Sequence, residues 1–108
     1  MTLSMKGWCK TISEWRKQKG FVTPDSIGTI TGRNRMLGKL MLVVSEVAEA
    51  AEAVRADNRP GFEEEIADTF IRLFDICGTM RIDIDKEIAK KMEVNRTRPI
   101  RHGKQTSL

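Results

Sequence analysis

Four acidic residues with one shared spacing lie on two consecutive predicted helices. Glu46 and Glu49 are three residues apart in one segment, and Glu65 and Asp68 repeat that spacing in the next. Because helical residues three apart project from the same side of a helix, each pair can present two carboxylates together. If the pairs face each other, each like-charge contact at about 6 Å costs on the order of 3 kcal/mol at an effective dielectric of 20. Such a cluster requires a counterion.

Carboxylate oxygens in this number favour a hard divalent cation. Mg²⁺ binds carboxylate oxygens, keeps several waters and commonly shares its coordination shell with substrate phosphates. A water polarised by such an ion becomes a usable nucleophile near neutral pH. A soft-metal or di-iron site is less favoured, because the single histidine, His102, lies in the polar tail and the sequence has no Glu-x-x-His motif. We therefore expect Mg²⁺, with Mn²⁺ as the alternative.

The same acids can also be interpreted as ordinary charged residues on exposed helix surfaces. Glu residues three apart are common on exposed helices, and Glu63 to Glu65 at a helix start complement the helix dipole. Against this, the segment from Leu40 to Val44 just before Glu46 is apolar on every side of the helix, which predicts burial all round. The residues alone leave the two interpretations evenly balanced.

Four helices are predicted to position the acids. Apolar residues with a helical period predict helices over about 4–19, 33–57, 63–80 and 84–97, before a polar tail over 99–108. The apolar stripe of the second helix comprises Leu37, Leu40, Met41, Val44, Val47, Ala48, Ala51 and Val54. That of the third helix comprises Ile66, Phe70, Leu73, Phe74, Cys77 and Met80.

The segments between these helices carry turn and capping signals. Residues 21–32 hold two glycines and a proline, which predict a loop that could serve as a lid or an interface arm. Residues 58–61 (NRPG) predict a turn, with Glu63, Glu64 and Glu65 in the first turn of the helix that follows, and Asp83 is a candidate N-cap. With no strand-like alternation, we expect an all-α fold, a four-helix bundle in a single domain of residues 1–108.

Composition narrows the class of protein without choosing a partner. The 108 residues carry a net charge of +4, which permits a polyanionic partner of any kind. The excess lies near the C-terminus, where residues 90–104 hold six Lys and Arg against one Glu. No membrane span or signal peptide is apparent, and we read Cys9 and Cys77 as packing thiols, so we expect a cytoplasmic protein.

The ordered set of motifs resembles the all-α nucleoside triphosphate pyrophosphohydrolases, which include the MazG-like proteins and the dCTP pyrophosphatases. The segments SEVAEAAEAVR and EEEIADTFIRLFD are similar to their Glu-x-x-Glu and Glu-x-x-Asp signature. The segment KMEVNRTRPIRHGK is similar to the Lys-x-x-x-Asn-x-x-Arg pattern with which these families close. The resemblance extends over about residues 15–104.

This resemblance implies an activity and a set of site residues. It implies hydrolysis of a nucleoside triphosphate to the monophosphate and pyrophosphate, in nucleotide-pool housecleaning. Mg²⁺ would be held by Glu46, Glu49, Glu65 and Asp68, which are also the implied catalytic residues, and the substrate would be contacted by Lys91, Asn95 and Arg98. Members are similar in forming homo-oligomers, dimers or tetramers, whose pockets can borrow residues from a neighbouring subunit.

The chain departs from the dCTP-preferring members in its aromatic residues. It has no tyrosine, and Arg72 stands four residues after Asp68 where those members carry an aromatic residue. Arg72 could bind a substrate phosphate or form a structural ion pair between helices. Trp8, Trp15 and Phe21 could stack on a base, with Trp15 our substrate-binding candidate, although aromatic residues at helical spacing are more often core.

Two further functions remain open from the sequence. One is a non-catalytic oligomeric helical module that binds nucleic acid through its basic end, with an affinity that falls steeply with salt. The other is a catalytically decayed relative that binds nucleotides as a sensor. The acid pairs beside a basic C-terminal helix favour a Mg²⁺–triphosphate substrate over nucleic acid or a membrane.

Overall fold

The computed structural model describes residues 4–21 and 26–98 and is all-helical in those ranges. The helices are α1 (Met5–Gln18), α2 (Ile30–Arg55), α3 (Arg59–Thr79) and α4 (Ile84–Thr97). The predicted all-α class and its four helices are confirmed. Residues 22–25 of the predicted loop and the predicted tail with His102 lie outside the described residues.

Each helix begins at a polar residue whose side chain accepts a backbone N–H from its first turn. These capping residues are Ser4, Thr29, Asn58 and Asp83, with hydrogen bonds of 3.0 to 3.2 Å. Asp83 was the predicted cap, whereas Thr29 starts α2 three residues earlier than the sequence indicated. Because Asn58 is already a cap, α3 starts at Arg59, and the placement of Glu63–Glu65 in its first turn is wrong; they lie in the second turn.

The central helix of the fold is α3. It packs against α2 on one side and α1 on another, whereas α4 has its main packing contact with α1. The connection between α2 and α3 is only three residues, 56–58, so α3 runs back along α2. This hairpin sets residues 46–49 opposite residues 65–68.

The interior face of the described helices is small and partly polar. The buried apolar residues are Cys9, Ile12, Met36, Ala50 and Cys77, and they are joined by the buried charged residues Arg16 and Asp75. On α2 the covered positions, among them Met36, Lys39 and Glu46, follow one side of the helix at three- and four-residue spacing. Polar side chains therefore lie where α2 meets α3.

Several residues expected in the core lie at the surface of this chain. Trp8 and Trp15 are 44% and 47% exposed, so the prediction that they are core is wrong. The predicted stripe of α2 points away from α3, and four of the five residues from Leu40 to Val44 are exposed instead of buried all round. On α3, Ile66, Phe70 and Leu73 are also exposed, and only the Phe74–Met80 end of its predicted stripe is covered. None of the described helices has an apolar stretch long enough to cross a bilayer.

The crossing of α1 and α3 is unusually close at Gly78. A Cβ atom built at this glycine would overlap the carbonyl oxygen of Cys9 and would lie 2.8 Å from the Cβ of Ser13. No larger residue fits there without moving one helix. Gly78 therefore fixes how closely α1 approaches α3. It also fixes the position of Arg16, which lies two turns after Cys9 on α1.

Candidate metal centre

Three carboxylates from two helices converge in the α2–α3 hairpin. Ligand oxygens of Glu46, Glu49 and Glu65 all lie within 4.8 Å of one another. Asp68 lies one turn after Glu65 on α3 and, after burial, its charge contributes to raising the pKa of Glu46. The two helices therefore bring three of the four predicted acids together, while the role of all four as metal ligands stays a prediction. We call these four residues the acid cluster.

The acid cluster holds its negative charge in an unfavourable place. Burial is the first cause that raises the pKa of Glu65, followed by a hydrogen bond with Glu49 and by the charges of Glu49, Glu46 and Asp68. The pKa of Glu46 is raised for the same first reason, although the nearby charge of Arg72 opposes that shift. A cation among these oxygens would relieve the repulsion.

One oxygen of the acid cluster has no donor. Oε2 of Glu65 is buried and accepts no hydrogen bond from any described residue. A buried carboxylate oxygen without a partner carries the full cost of its lost hydration. The donor set here is oxygen only, which suits a hard cation such as Mg²⁺.

Arg72 lies at the edge of the acid cluster. Its Nε is 3.9 Å from Oε2 of Glu46, and both side chains are largely covered, with 29% and 12% exposed. This is the interhelical ion pair that the sequence offered as one role for Arg72. At 3.9 Å the pair is too long for a hydrogen bond, so the guanidinium keeps donors for another anion.

Beyond Arg72 the hairpin contact continues as a second group of charges. Arg16 of α1 donates from Nε to Oδ2 of Asp75 at 2.9 Å, and both residues are buried. The guanidinium of Arg16 also lies 4.4 Å from the ring centre of Phe21. Lys39 is half-buried beside them, close enough for the charges of Arg16, Asp75 and Arg72 all to act on it.

We call this continuous row of charged side chains the polar seam. It runs along the α2–α3 contact from the acid cluster through Arg72 to Lys39, Asp75 and Arg16. Sequence reasoning missed Lys39 and Arg16. Its position in the sequence could have indicated Lys39, because this residue lies seven residues before Glu46 and therefore on the same face of α2.

The other predicted substrate-binding residues lie away from the acid cluster in a single chain. Lys91, Asn95 and Arg98 are exposed on α4 or just after it, and no hydrogen bond or ion pair among the described residues links them to the acids. Arg98 instead donates to Oδ1 of Asn95 at 3.5 Å. Trp15 is exposed one residue before Arg16, at the far end of the polar seam. Their binding roles stay predictions.

The two cysteines are buried free thiols, as predicted. Burial and the neighbouring Cys77 raise the pKa of Cys9 to about 11, and burial also raises the pKa of Cys77. Because the thiolate is the reactive form, both side chains are poor nucleophiles near neutral pH. They line a cavity of about 440 Å³ between α1, the end of α3 and the connection from α3 to α4, away from the acid cluster.

Comparison with known proteins gives no relative for this chain. It matches no protein-family model, no curated protein and no solved structure at a significant level. The geometry of the polar seam and the sequence motifs are therefore the features that indicate a function.

Proposed function

We propose that the protein is a Mg²⁺-dependent hydrolase that converts nucleoside or deoxynucleoside triphosphates to the monophosphate and pyrophosphate. The observation that carries this proposal is the acid cluster, in which three Glu side chains from two helices place oxygens within 4.8 Å of one another. A surface role for these acids does not require their convergence or the buried, unpartnered oxygen of Glu65. The order of motifs, similar to that of the all-α pyrophosphohydrolases, supplies the reaction type.

The residues of the acid cluster fit the proposed cation. Glu46, Glu49, Glu65 and Asp68 offer only carboxylate oxygens, the ligand type that Mg²⁺ and Mn²⁺ share. When bound, the ion would neutralise phosphate charge and lower the pKa of water. The chain itself would hold that ion in place, and Arg72 would bind a phosphate oxygen beside it.

We also propose that the enzyme works as a homo-oligomer. The exposed apolar stripe of α2, which we call the outer stripe, comprises Leu37, Leu40, Met41, Val44, Val47 and Val54. Apolar residues in a row of this length are typical of a surface that another helix covers. A second copy packed there could also bring the phosphate-binding candidates Lys91, Asn95 and Arg98 to a neighbouring acid cluster.

A panel assay tests the proposal. Purified protein would be incubated with canonical and modified NTPs and dNTPs plus Mg²⁺, and pyrophosphate release followed. We expect turnover of at least one substrate class, with a loss of about 100-fold or more in Glu49→Gln and Asp68→Asn, since a missing ligand removes several kcal/mol of transition-state stabilisation. Equal activity of parent and variants would contradict the assignment. Salt-sensitive binding to duplex DNA without turnover would instead favour the nucleic-acid module.

A further inference from the structure

Lys39 is a half-buried cation that the proposed chemistry does not yet use. Among the described residues its ammonium makes no ion pair of its own, although three charged groups surround it. Of those, Arg16 is held by Asp75 at 2.9 Å and Arg72 lies 3.9 Å from Glu46. Among the described residues whose charges act on Lys39, two are cations, Arg16 and Arg72, and one is a carboxylate, Asp75.

Holding this excess of positive charge in a half-buried place is energetically unfavourable, as it is for the negative charges of the acid cluster. Burial and the charge of Arg16 both lower the pKa of Lys39, so the site disfavours its cation as it stands. A buried charge is normally paired or hydrogen-bonded. Among the described residues, the polar seam thus has one end with an excess of carboxylates and an adjacent segment with an excess of cations.

We propose that Lys39 is a phosphate-binding residue of the nucleotide site, and that the triphosphate lies along the polar seam from the acid cluster towards Lys39. The inference deepens the proposed function and rests on it. Seven residues separate Lys39 from Glu46, a rise of about 10 Å along α2, which is within reach of a triphosphate chain contacted by a long side chain. The nucleoside then lies towards the end of α1, where Trp15 and Phe21 are exposed.

Arg16 is held in a fixed position beside this proposed path of the triphosphate. The bond from Arg16 to Asp75 and the ring of Phe21 on the guanidinium hold that cation in one position. Arg16 therefore keeps a fixed positive charge beside Lys39. Lys39 and Arg72 are the two cations of the seam that donate no hydrogen bond among the described residues.

The test measures binding of inorganic tripolyphosphate in the presence of Mg²⁺ by calorimetry, with Mn²⁺ alone titrated in parallel. Lys39→Met keeps the aliphatic stem and removes the charge, and should weaken tripolyphosphate binding about 10- to 100-fold, the range of a charged hydrogen bond. Affinity for Mn²⁺ alone should stay within about threefold of the parent, because Lys39 is not one of the acids proposed to hold the cation. A threefold change corresponds to about 0.7 kcal/mol. Lys39→Arg should bind tripolyphosphate nearly as the parent does.

An exposed lysine supplies the matched control. Lys10→Gln on α1 removes one positive charge outside the polar seam and should leave both affinities unchanged. Parent-like tripolyphosphate binding by Lys39→Met would overturn the role of Lys39 while leaving the proposed function in place. A parent protein that binds neither Mn²⁺ nor tripolyphosphate would overturn both.

Discussion

Glu46 and Glu65 are carboxyl groups that the fold makes harder to ionise. Their pKa values lie above the ordinary value of 4.5, and burial is the first cause for each. Between the ordinary and the raised pKa the folded protein binds more protons than the unfolded chain. The contribution of these groups to stability is therefore present at low pH and is lost as the pH rises through that interval. A bound divalent cation should reverse this trend, since it competes with protons for the same oxygens.

Thermal melting with and without Mg²⁺ at pH 5 and pH 8 checks this pH dependence. We expect Mg²⁺ to raise the Tm more at pH 8, where the acid cluster is ionised, because a ligand that binds the folded state stabilises it. Glu65→Gln should melt above the parent at pH 8 without Mg²⁺ and should lose most of the Mg²⁺ response.

Glu64→Gln is the control for that experiment, because Glu64 is the exposed neighbour of Glu65 and makes no ion pair among the described residues. It should keep the parent's Mg²⁺ response. A Tm gain that is equal at both pH values, or equal in Glu65→Gln and the parent, would mean that the acid cluster is not where Mg²⁺ acts.

The acid cluster could be predicted from sequence and most of the polar seam could not. Two carboxylates three residues apart on a helix must share a side, so the pairing of Glu46 with Glu49 needs no tertiary information. The burial of Arg16 depends on how closely α1 approaches α3. The apolar periodicity of the sequence gives no information on that distance. Lys39 became informative only once the structure showed that the charges of Arg16 and Arg72 act on it.

At the scale of helices, periodicity located each element and misjudged which side of it is covered. On α2 two apolar or small faces lie next to each other, one with Met36 and Ala50 against α3 and the other the outer stripe. A hydrophobic period shows that a face exists but not which partner covers it. Two helices begin earlier than the sequence predicted, because a capping residue lies before the first residue of the apolar pattern. These capping residues are Thr29 for α2 and Asn58 for α3.

The close crossing of α1 and α3 leads to a paired prediction on two helical glycines. Gly78→Ala should destabilise the fold by about 1–3 kcal/mol, the usual cost of forcing a methyl group into a filled contact. Gly38→Ala, on a part of α2 where a Cβ meets nothing within 4 Å, should stabilise it by about 0.5–1 kcal/mol through lower backbone entropy. Urea unfolding of both variants measures the difference.

The two glycine substitutions share the same gain in helix propensity, so their difference isolates the contact. If Gly78→Ala stabilises the protein as Gly38→Ala does, α1 does not sit as deeply against α3 as the structure has it. The positions of Arg16 and of the far end of the polar seam would then need revision.

Considered as a whole, a single chain leaves much of its apolar surface uncovered. Only five apolar residues of the described chain are buried, and five of its seven buried residues of any type lie on α1 or α3. A domain of this length normally buries well over half of its unfolded surface. The outer stripe of α2 and the weakly packed α4 account for much of what remains exposed.

The proposed assembly can be tested on the outer stripe by sedimentation velocity. We expect the parent to sediment as a dimer or tetramer and the Leu40→Lys, Val44→Lys double variant to shift to a smaller species, because two buried charges oppose association. Thr31→Lys adds a charge to an exposed polar position of the same helix outside the outer stripe and should sediment like the parent. A parent that is monomeric at micromolar concentration would contradict the assembly.

The most direct measurement follows the products of a turned-over nucleoside triphosphate by phosphorus NMR in the presence of Mg²⁺. We expect the parent to give the nucleoside monophosphate and pyrophosphate, and Glu65→Gln, which lacks a charge at the centre of the acid cluster, to give neither at a comparable rate. Formation of nucleoside diphosphate and phosphate, or equal rates for parent and Glu65→Gln, would contradict it.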